Sequence, residues 1–278
     1  MNMDFGRLLD SINANVPKCE NTYMGEDGLL HCSVCHRAVQ VRLVHPFNGQ
    51  ERIQNCVCDC KLKEDRDEAE RKRREALERR RRLCFAETNM AQWSFDNDDL
   101  KNEKLSSAMK RYVYKFTDFK ESGKGLLLYG PVGTGKTYYA ACIANALIDD
   151  GYWAYMTNFA RLTNKLQGMF EGKQEFIDSL NDYDLLVIDD LGIERRSETG
   201  YMQEIVFNIV DSRYRAGLPM IITTNLLPDE IKNTPDVRYQ RIYDRIIERC
   251  FPVEIKGTSR RKEVLRNTHA DMKTELGL

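Results

Sequence analysis

Lys136 and Thr137 close the stretch GLLLYGPVGTGKT (residues 125–137), in which a short apolar run leads into a loop with glycines at 130, 133 and 135. The spacing Gly130-x4-Gly135-Lys136-Thr137 is that of a P-loop. Backbone N–H groups around the glycines cradle phosphates, Lys136 reaches the outer phosphates, and the Thr137 hydroxyl ligates Mg²⁺. The helical stretch YYAACIANALI follows, and its N-terminus adds partial positive charge where the anion binds. Gly130, Pro131, Val132, Gly133, Thr134, Gly135, Lys136 and Thr137 are therefore expected to hold ATP.

Asp189 and Asp190 end the apolar run LLVI, at the strand end where open α/β sheets put their ligands. Asp189 is expected to hold Mg²⁺ through its waters, and Asp190 to orient or activate the attacking water. The run PMIITTN closes on Thr223-Thr224-Asn225. An amide there is wasted unless it bonds something, and Asn225 is placed to hold the lytic water. In RYQRIYDRIIERC, Arg241, Arg245 and Arg249 share one helix face. They form either a solvated basic stripe or a finger offered to a neighbouring subunit's γ-phosphate.

Of nine cysteines, Cys32, Cys35, Cys56, Cys58 and Cys60 crowd into residues 32–60. Cys32-x2-Cys35 is a knuckle whose thiolates converge on one metal, and a hairpin-like stretch carries the chain to the second group. Four thiolates close a structural Zn²⁺ site and five are offered; Cys56 is an alternative if the segment has already turned helical. His31, His36 and His45 are nearby, but thiols suffice. Cys19, Cys84, Cys142 and Cys250 are scattered and read as small core or incidental residues.

The elements that must position these groups fall into three zones. Residues 1–60 hold the cysteines, and a module so poor in large apolar residues needs a metal staple. Residues 61–82, KLKEDRDEAERKRREALERRRR, contain no Gly or Pro and read as one exposed helix. It is a spacer, although its four consecutive arginines leave room for contact with phosphate or an acidic partner. From residue 100 onward, KGLLLYG, YWAYMTN, YDLLVIDDLG, PMIITTN and FPVEIKG read as strands alternating with amphipathic helices, the rhythm of a parallel α/β sheet.

The 278 residues suit one large domain and a small one. A net charge of −1 with 31% charged residues carries no global signal for nucleic acid, so such contacts must be local. The opening MNMDFGRLLDSINANVP lacks the apolar core of a signal peptide, and no run is long enough to span a membrane. A soluble, cytoplasmic protein with no membrane partner is expected.

Taken in order, GLLLYGPVGTGKT, LLVIDDLG, GLPMIITTN, RIYDRI and GTSRR resemble the successive motifs of the DnaC/DnaI/IstB group of AAA+ ATPases, nearest to bacterial and phage DnaC-type helicase loaders. The resemblance implies a P-loop three-layer α/β/α AAA+ domain with a parallel sheet over 85–278. A zinc-binding partner-recognition module (1–60) and a charged helical linker (61–84) would precede it. It implies a sensor-1 Asn225, an arginine finger at Arg245 (with Arg241 as second choice) and a sensor-2-like Arg261. Arg260 is the alternative there, since SRR departs from the commoner Ser-Tyr-Arg. For the metal it implies a CxC pair ending the module, hence Cys32, Cys35, Cys58 and Cys60.

The implied function is ATP-dependent loading of a replicative hexameric helicase onto single-stranded DNA in replication initiation. ATP, Mg²⁺ and Zn²⁺ would be bound, with self-association through ATPase interfaces. In the family some DNA contacts lie in the helix after the second strand, here FARLTNKLQGMF. The alternative is an IstB-type transposition helper acting on duplex DNA and a transposase. The zinc module counts against it, because IstB-like proteins usually carry a different N-terminal region. A small-molecule kinase would need a substrate pocket and a mobile arginine lid. A non-catalytic DNA-binding module leaves Asp189 and Asp190 unexplained.

Overall fold

The computed structural model describes residues 16, 19, 21–44, 49–86, 88–192 and 200–276, without the side chains of residues 200, 238, 261, 263, 264, 266, 267, 270 and 271. The chain divides into two compact units, Met1–Ala76 and Leu77–Leu278.

In the first unit, β1 (Thr22–Met24) pairs antiparallel with β2 (Leu30–Cys32), and β3 (Gln40–Val44) with β4 (Glu51–Asn55). Its described core is small: Cys32, Val39 and Cys58, with Cys19, Leu30, Cys35 and Cys60 against them.

Helix α1 (Asp59–Phe85) then runs across the unit boundary, a little longer at both ends than the charged stretch suggests. With no Gly or Pro to break it, the exposed part is supported by i,i+4 pairs such as Lys72–Glu68 at 2.7 Å and Arg71–Glu75 at 3.4 Å, each worth a few tenths of a kcal/mol. Its last turn is different. Cys84 and Phe85 are buried, Arg80 donates to the Gly151 carbonyl (2.7 Å), and Arg81 bonds Asn145 and Asp149. Two of the four consecutive arginines therefore hold the helix end in place.

The second unit is built on a five-stranded parallel sheet. Its strands are β5 (Gly125–Tyr129), β6 (Ala154–Asn158), β7 (Leu185–Leu191), β8 (Met220–Thr224) and β9 (Cys250–Glu254), in the order β6-β7-β8-β5-β9. Strands buried on both faces read as continuous apolar runs. Alternate residues serve opposite faces: Leu126, Leu128, Val187 and Ile221 pack with Ile143 and Leu147 of α4 (Lys136–Asp149). Leu127, Leu186, Ile188 and Ile222 pack with Ile205 and Ile209 of α7 (Gly200–Arg215) and Ile242 of α9 (Val237–Arg249). This is the three-layer α/β/α arrangement.

The fully buried Arg213 donates to the carbonyls of Leu180, Tyr183, Asp184 and Pro219. It thereby stitches the connections entering β7 and β8. Ahead of the sheet, α2 (Glu103–Tyr114) and α3 (Phe116–Glu121) cover one face. The helices α5 (Phe159–Gln167), α6 (Lys173–Ser179) and α8 (Pro228–Lys232) fill connections, and α10 (Arg260–Leu276) follows β9. No helix among the described residues is long and apolar enough to cross a membrane.

Candidate functional site

The loop from β5 to α4 takes a backbone path that only glycine follows easily. Gly130, Gly133 and Gly135 have φ of 143°, 83° and 106°. Space as well as φ excludes side chains: a Cβ at Gly130 would stand 2.5 Å from the Ile255 carbonyl, and one at Gly133 would overlap the Ser259 hydroxyl. Within this loop Lys136 is 5% exposed, and its Nζ donates to the carbonyls of Gly130 and Pro131, both at 2.8 Å. Thr134 adds a bond to the Pro131 carbonyl (2.9 Å). A cavity of about 320 Å³ opens beside it, lined by Val132, Gly133, Gly135, Lys136 and Thr137. Glycine amides, a helix N-terminus and a buried ammonium fit a polyphosphate.

Both acids meet this loop, although neighbouring residues of a strand normally point to opposite faces. Thr137 Oγ1 donates to Asp189 at 2.9 Å (Oδ1) and 3.2 Å (Oδ2). The β7–β8 register then shifts between Ile188 and Leu191, and Asp190 adopts φ 58°. This irregularity turns Asp190 into the cavity, where Asn225 also points; bulges commonly re-aim side chains beside active sites. Burial pushes the Asp189 carboxyl above its usual range and the Asp190 charge adds to this, while bonds from Thr223 and Thr137 oppose it. A divalent cation on those oxygens removes that penalty. Thr137 and Asp189 would hold Mg²⁺, which supplies charge neutralisation to the phosphates when bound. Asp190 and Asn225 place a carboxylate and an amide on the wall of this cavity, beside the glycine loop.

Thr223 is the functional residue that sequence reasoning passed over. It is fully buried; its hydroxyl donates to Asp189 Oδ1 (2.5 Å) and accepts from the Asp190 N–H (2.9 Å). One side chain thus fixes both acids. Its only sequence signal is a hydroxyl ending one strand beside an Asp pair ending another. Thr223→Val keeps the shape and removes both bonds. Affinity for a fluorescent ATP analogue should fall about tenfold with Mg²⁺ and be unchanged in EDTA. An equal loss in both conditions would reassign Thr223 to packing alone.

The far wall is aromatic and basic. Trp93 and Tyr138, whose rings are 5.8 Å apart, line the cavity and offer a flat apolar surface to a base. Arg260 lines it too: its Nη2 donates to Asp99 (2.8 Å), and its backbone N–H bonds the Gly133 carbonyl (2.9 Å). The Arg261 side chain lies outside the described residues.

Arg245 does not line the cavity. It pairs with Asp211 at 2.7 Å, packs over the Phe207 ring at 4.7 Å and donates to the Arg241 carbonyl. The α7–α9 packing therefore engages the very member of the stripe expected to act as a finger, while Arg241 is exposed.

In the first unit the sulfurs of Cys32, Cys35, Cys58 and Cys60 lie within 4.8 Å of one another. Cys58–Cys60 is 3.0 Å and Cys32–Cys60 is 3.3 Å, against an edge of about 3.8 Å for tetrahedral zinc thiolates. Backbone N–H groups of Cys35 and Val34 pull the Cys32 thiol down to about 6, favouring the thiolate a metal needs. This donor set fits a closed Zn²⁺ site. Cys56 is turned away, bonding the Ala38 carbonyl. His31 is occupied by Asp27 and the His36 carbonyl, and His45 lies outside the described residues. Cys84, Cys142 and Cys250 are core residues, as expected. Cys19 is not incidental: its sulfur is 3.9 Å from that of Cys58.

The sheet order, the glycine loop and the acids converging on it define a P-loop ATP-binding protein of the AAA+ fold. The chain belongs to the family of IstB-like ATP binding proteins, whose model matches residues 61–268. It is similar to the replicative helicase loader DnaI of Bacillus subtilis (strain 168), with 32% identity over 165 residues, 52% of either chain. It therefore spans about half the length of that relative. It is also similar to an ATP-binding protein in an insertion sequence of Mycobacterium tuberculosis, with 27% identity over 202 residues, covering 70% of this chain and 77% of that one. Among solved structures, a crystal structure of DnaI superposes with a TM-score of 0.53 at 27% identity, covering 66% of this chain and 99% of that one.

Proposed function

We propose that this chain is an ATP-dependent helicase loader, which binds a replicative hexameric helicase and places it on single-stranded DNA in the cytoplasm. One observation carries the reading: a chain similar to the loader DnaI brings Lys136, Thr137, Asp190 and Asn225 to one cavity, with Asp189 bonded to Thr137 at its edge. ATP and Mg²⁺ serve the motor, and Zn²⁺ at Cys32, Cys35, Cys58 and Cys60 staples the partner-recognition module. The division at 1–60, 61–84 and 85–278 assigns grip, spacer and motor. Compactness alone divides the chain within the spacer, at Ala76 and Leu77.

The test uses closed circular single-stranded DNA, which a hexameric ring cannot thread. The full chain with ATP should leave helicase on the circles after gel filtration, and Lys136→Ala should leave none. Helicase retained equally without the chain would sink the proposal. DNA binding should weaken as salt rises, since phosphate contacts release counterions. The insertion-sequence relative, matched over more of both chains, favours a second reading as a transposition helper. Duplex DNA competing equally with single strands, with no helicase loaded, would select it.

We assign the finger to Arg245, acting on the γ-phosphate of a neighbouring copy; Asp211 and the Phe207 ring fix the position of its guanidinium. Arg245→Ala and Asp190→Asn should each bind ATP and hydrolyse it poorly. Mixed, they should recover part of the activity, because one interface pairs an intact Asp190 with an intact Arg245. A finger is worth about 10³–10⁵ in rate, so even sparse intact interfaces are visible. Arg215, which pairs with Asp211 at 2.5 Å, should remain as its partner in the alanine variant, and matched melting curves check that the fold survives. No recovery at any ratio under assembling conditions moves the finger to Arg241.

A further inference from the structure

Cys19 approaches the metal centre from outside the cysteine-rich segment. Its sulfur lies 3.9 Å from that of Cys58, a residue 39 positions later. That separation matches the edge of about 3.8 Å in a tetrahedral thiolate site. Chain proximity does not force it: Cys56, two residues from Cys58, is turned to the Ala38 carbonyl instead. Cys19 also packs in the same small cluster as Cys32, Val39 and Cys58. Its sulfur also interacts with that of Cys32 and makes a long contact, 3.8 Å, to the Asn21 carbonyl. Cys58 is 1% exposed and has sulfur on two sides, Cys60 at 3.0 Å and Cys19 at 3.9 Å.

We propose that Cys19 is a fifth sulfur ligand of the metal centre, exchanging with Cys58 for one coordination position. The proposal rests on the zinc reading of Cys32, Cys35, Cys58 and Cys60. The exchange needs no oxidant. One sulfur–metal bond forms as another breaks, and the entering Cys19 thiol passes its proton to the departing Cys58 sulfur. A bound metal would keep four thiolates throughout, so the exchange would not release it. With Cys58 bound, Cys58 and Cys60 together would tie the start of α1 to the knuckle at Cys32 and Cys35. With Cys19 bound, Cys60 alone would hold the start of α1, and the chain ahead of β1 would be tied there as well.

Two measurements on the full chain test this. In the unmodified zinc protein, iodoacetamide labelling read by mass spectrometry should divide one equivalent between Cys19 and Cys58, with Cys32, Cys35 and Cys60 protected. Label confined to either one of the pair overturns the exchange. In Co²⁺-substituted protein, Cys58→Ser should retain the charge-transfer spectrum of a four-thiolate site, as should Cys19→Ser. Cys19→Ser/Cys58→Ser should show three thiolates and surrender metal to a chromogenic chelator at least about tenfold faster. A three-thiolate spectrum already in Cys58→Ser also overturns it. These failures are distinct from failure of the zinc reading, in which the unmodified chain would carry no metal and all five thiols would label.

Discussion

Lys136→Ala is expected to remove ATP binding, and Asp190→Asn to keep binding while turnover falls by about two to four orders of magnitude. The two residues line one cavity, yet the geometry gives them different roles. The Lys136 ammonium is held under the loop by the carbonyls of Gly130 and Pro131, so its charge is in place before a triphosphate arrives. Arg260, the other cation of the cavity, is tied to Asp99 and cannot replace it. Asp190 lines the same cavity without a share in the Thr137–Asp189 bond, and its carboxylate is expected to act on the attacking water. Asparagine suits the test because it tolerates the left-handed φ of 58° found there and preserves the bond from the backbone N–H to Thr223. Isothermal titration with a non-hydrolysable analogue separates binding from a phosphate-release assay of turnover. An Asp190→Asn protein that hydrolyses ATP at the parent rate would transfer the base role to another group.

Much of this site was legible in the residues, for identifiable reasons. A strand buried on both faces must be apolar throughout, so LLLY, LLVI and MIITT announce themselves. A loop that bends through positive φ beside another backbone must be glycine, which marks residues 130, 133 and 135. What stayed hidden depends on pairings between distant segments. The register shift that brings Asp190 beside Asp189's site exists only because β7 lies against β8. Thr223 became a clamp through the same pairing. Trp93 joins Tyr138 across a stretch with no regular periodicity. Arg80 and Arg81 look like part of a solvated run until the helix end is docked on Gly151, Asn145 and Asp149. The stripe Arg241, Arg245 and Arg249 says nothing of Asp211, which lies on another helix. Cys19 escaped because ligand-spacing rules look along the chain, whereas its approach to Cys58 is made in space.

Stripping the metal should unfold the cysteine module and leave nucleotide binding intact. The module's described core is Cys32, Val39 and Cys58, and its strands are three and five residues long. Two-stranded hairpins of this size are marginal in water. A structural zinc site contributes about 10–16 kcal/mol, far more than such a core supplies, so folding and metal binding would be one equilibrium. The motor stands differently: its two clusters cover both faces of a five-stranded sheet without any sulfur–metal bond. Elemental analysis should find one zinc per chain. After chelation, hydrogen exchange should accelerate by orders of magnitude across residues 21–58 and remain slow in β5, β7 and β8. The first turns of α1 should fray with the module, because Cys60 lies in them, while its end stays fixed by Cys84 and Phe85. Acid should act as the chelator does, since thiolates must be deprotonated to bind and affinity falls as pH falls. A metal-free protein whose amides at 21–58 remain protected, with ATP binding unchanged, would show that the thiols pack the module without a metal.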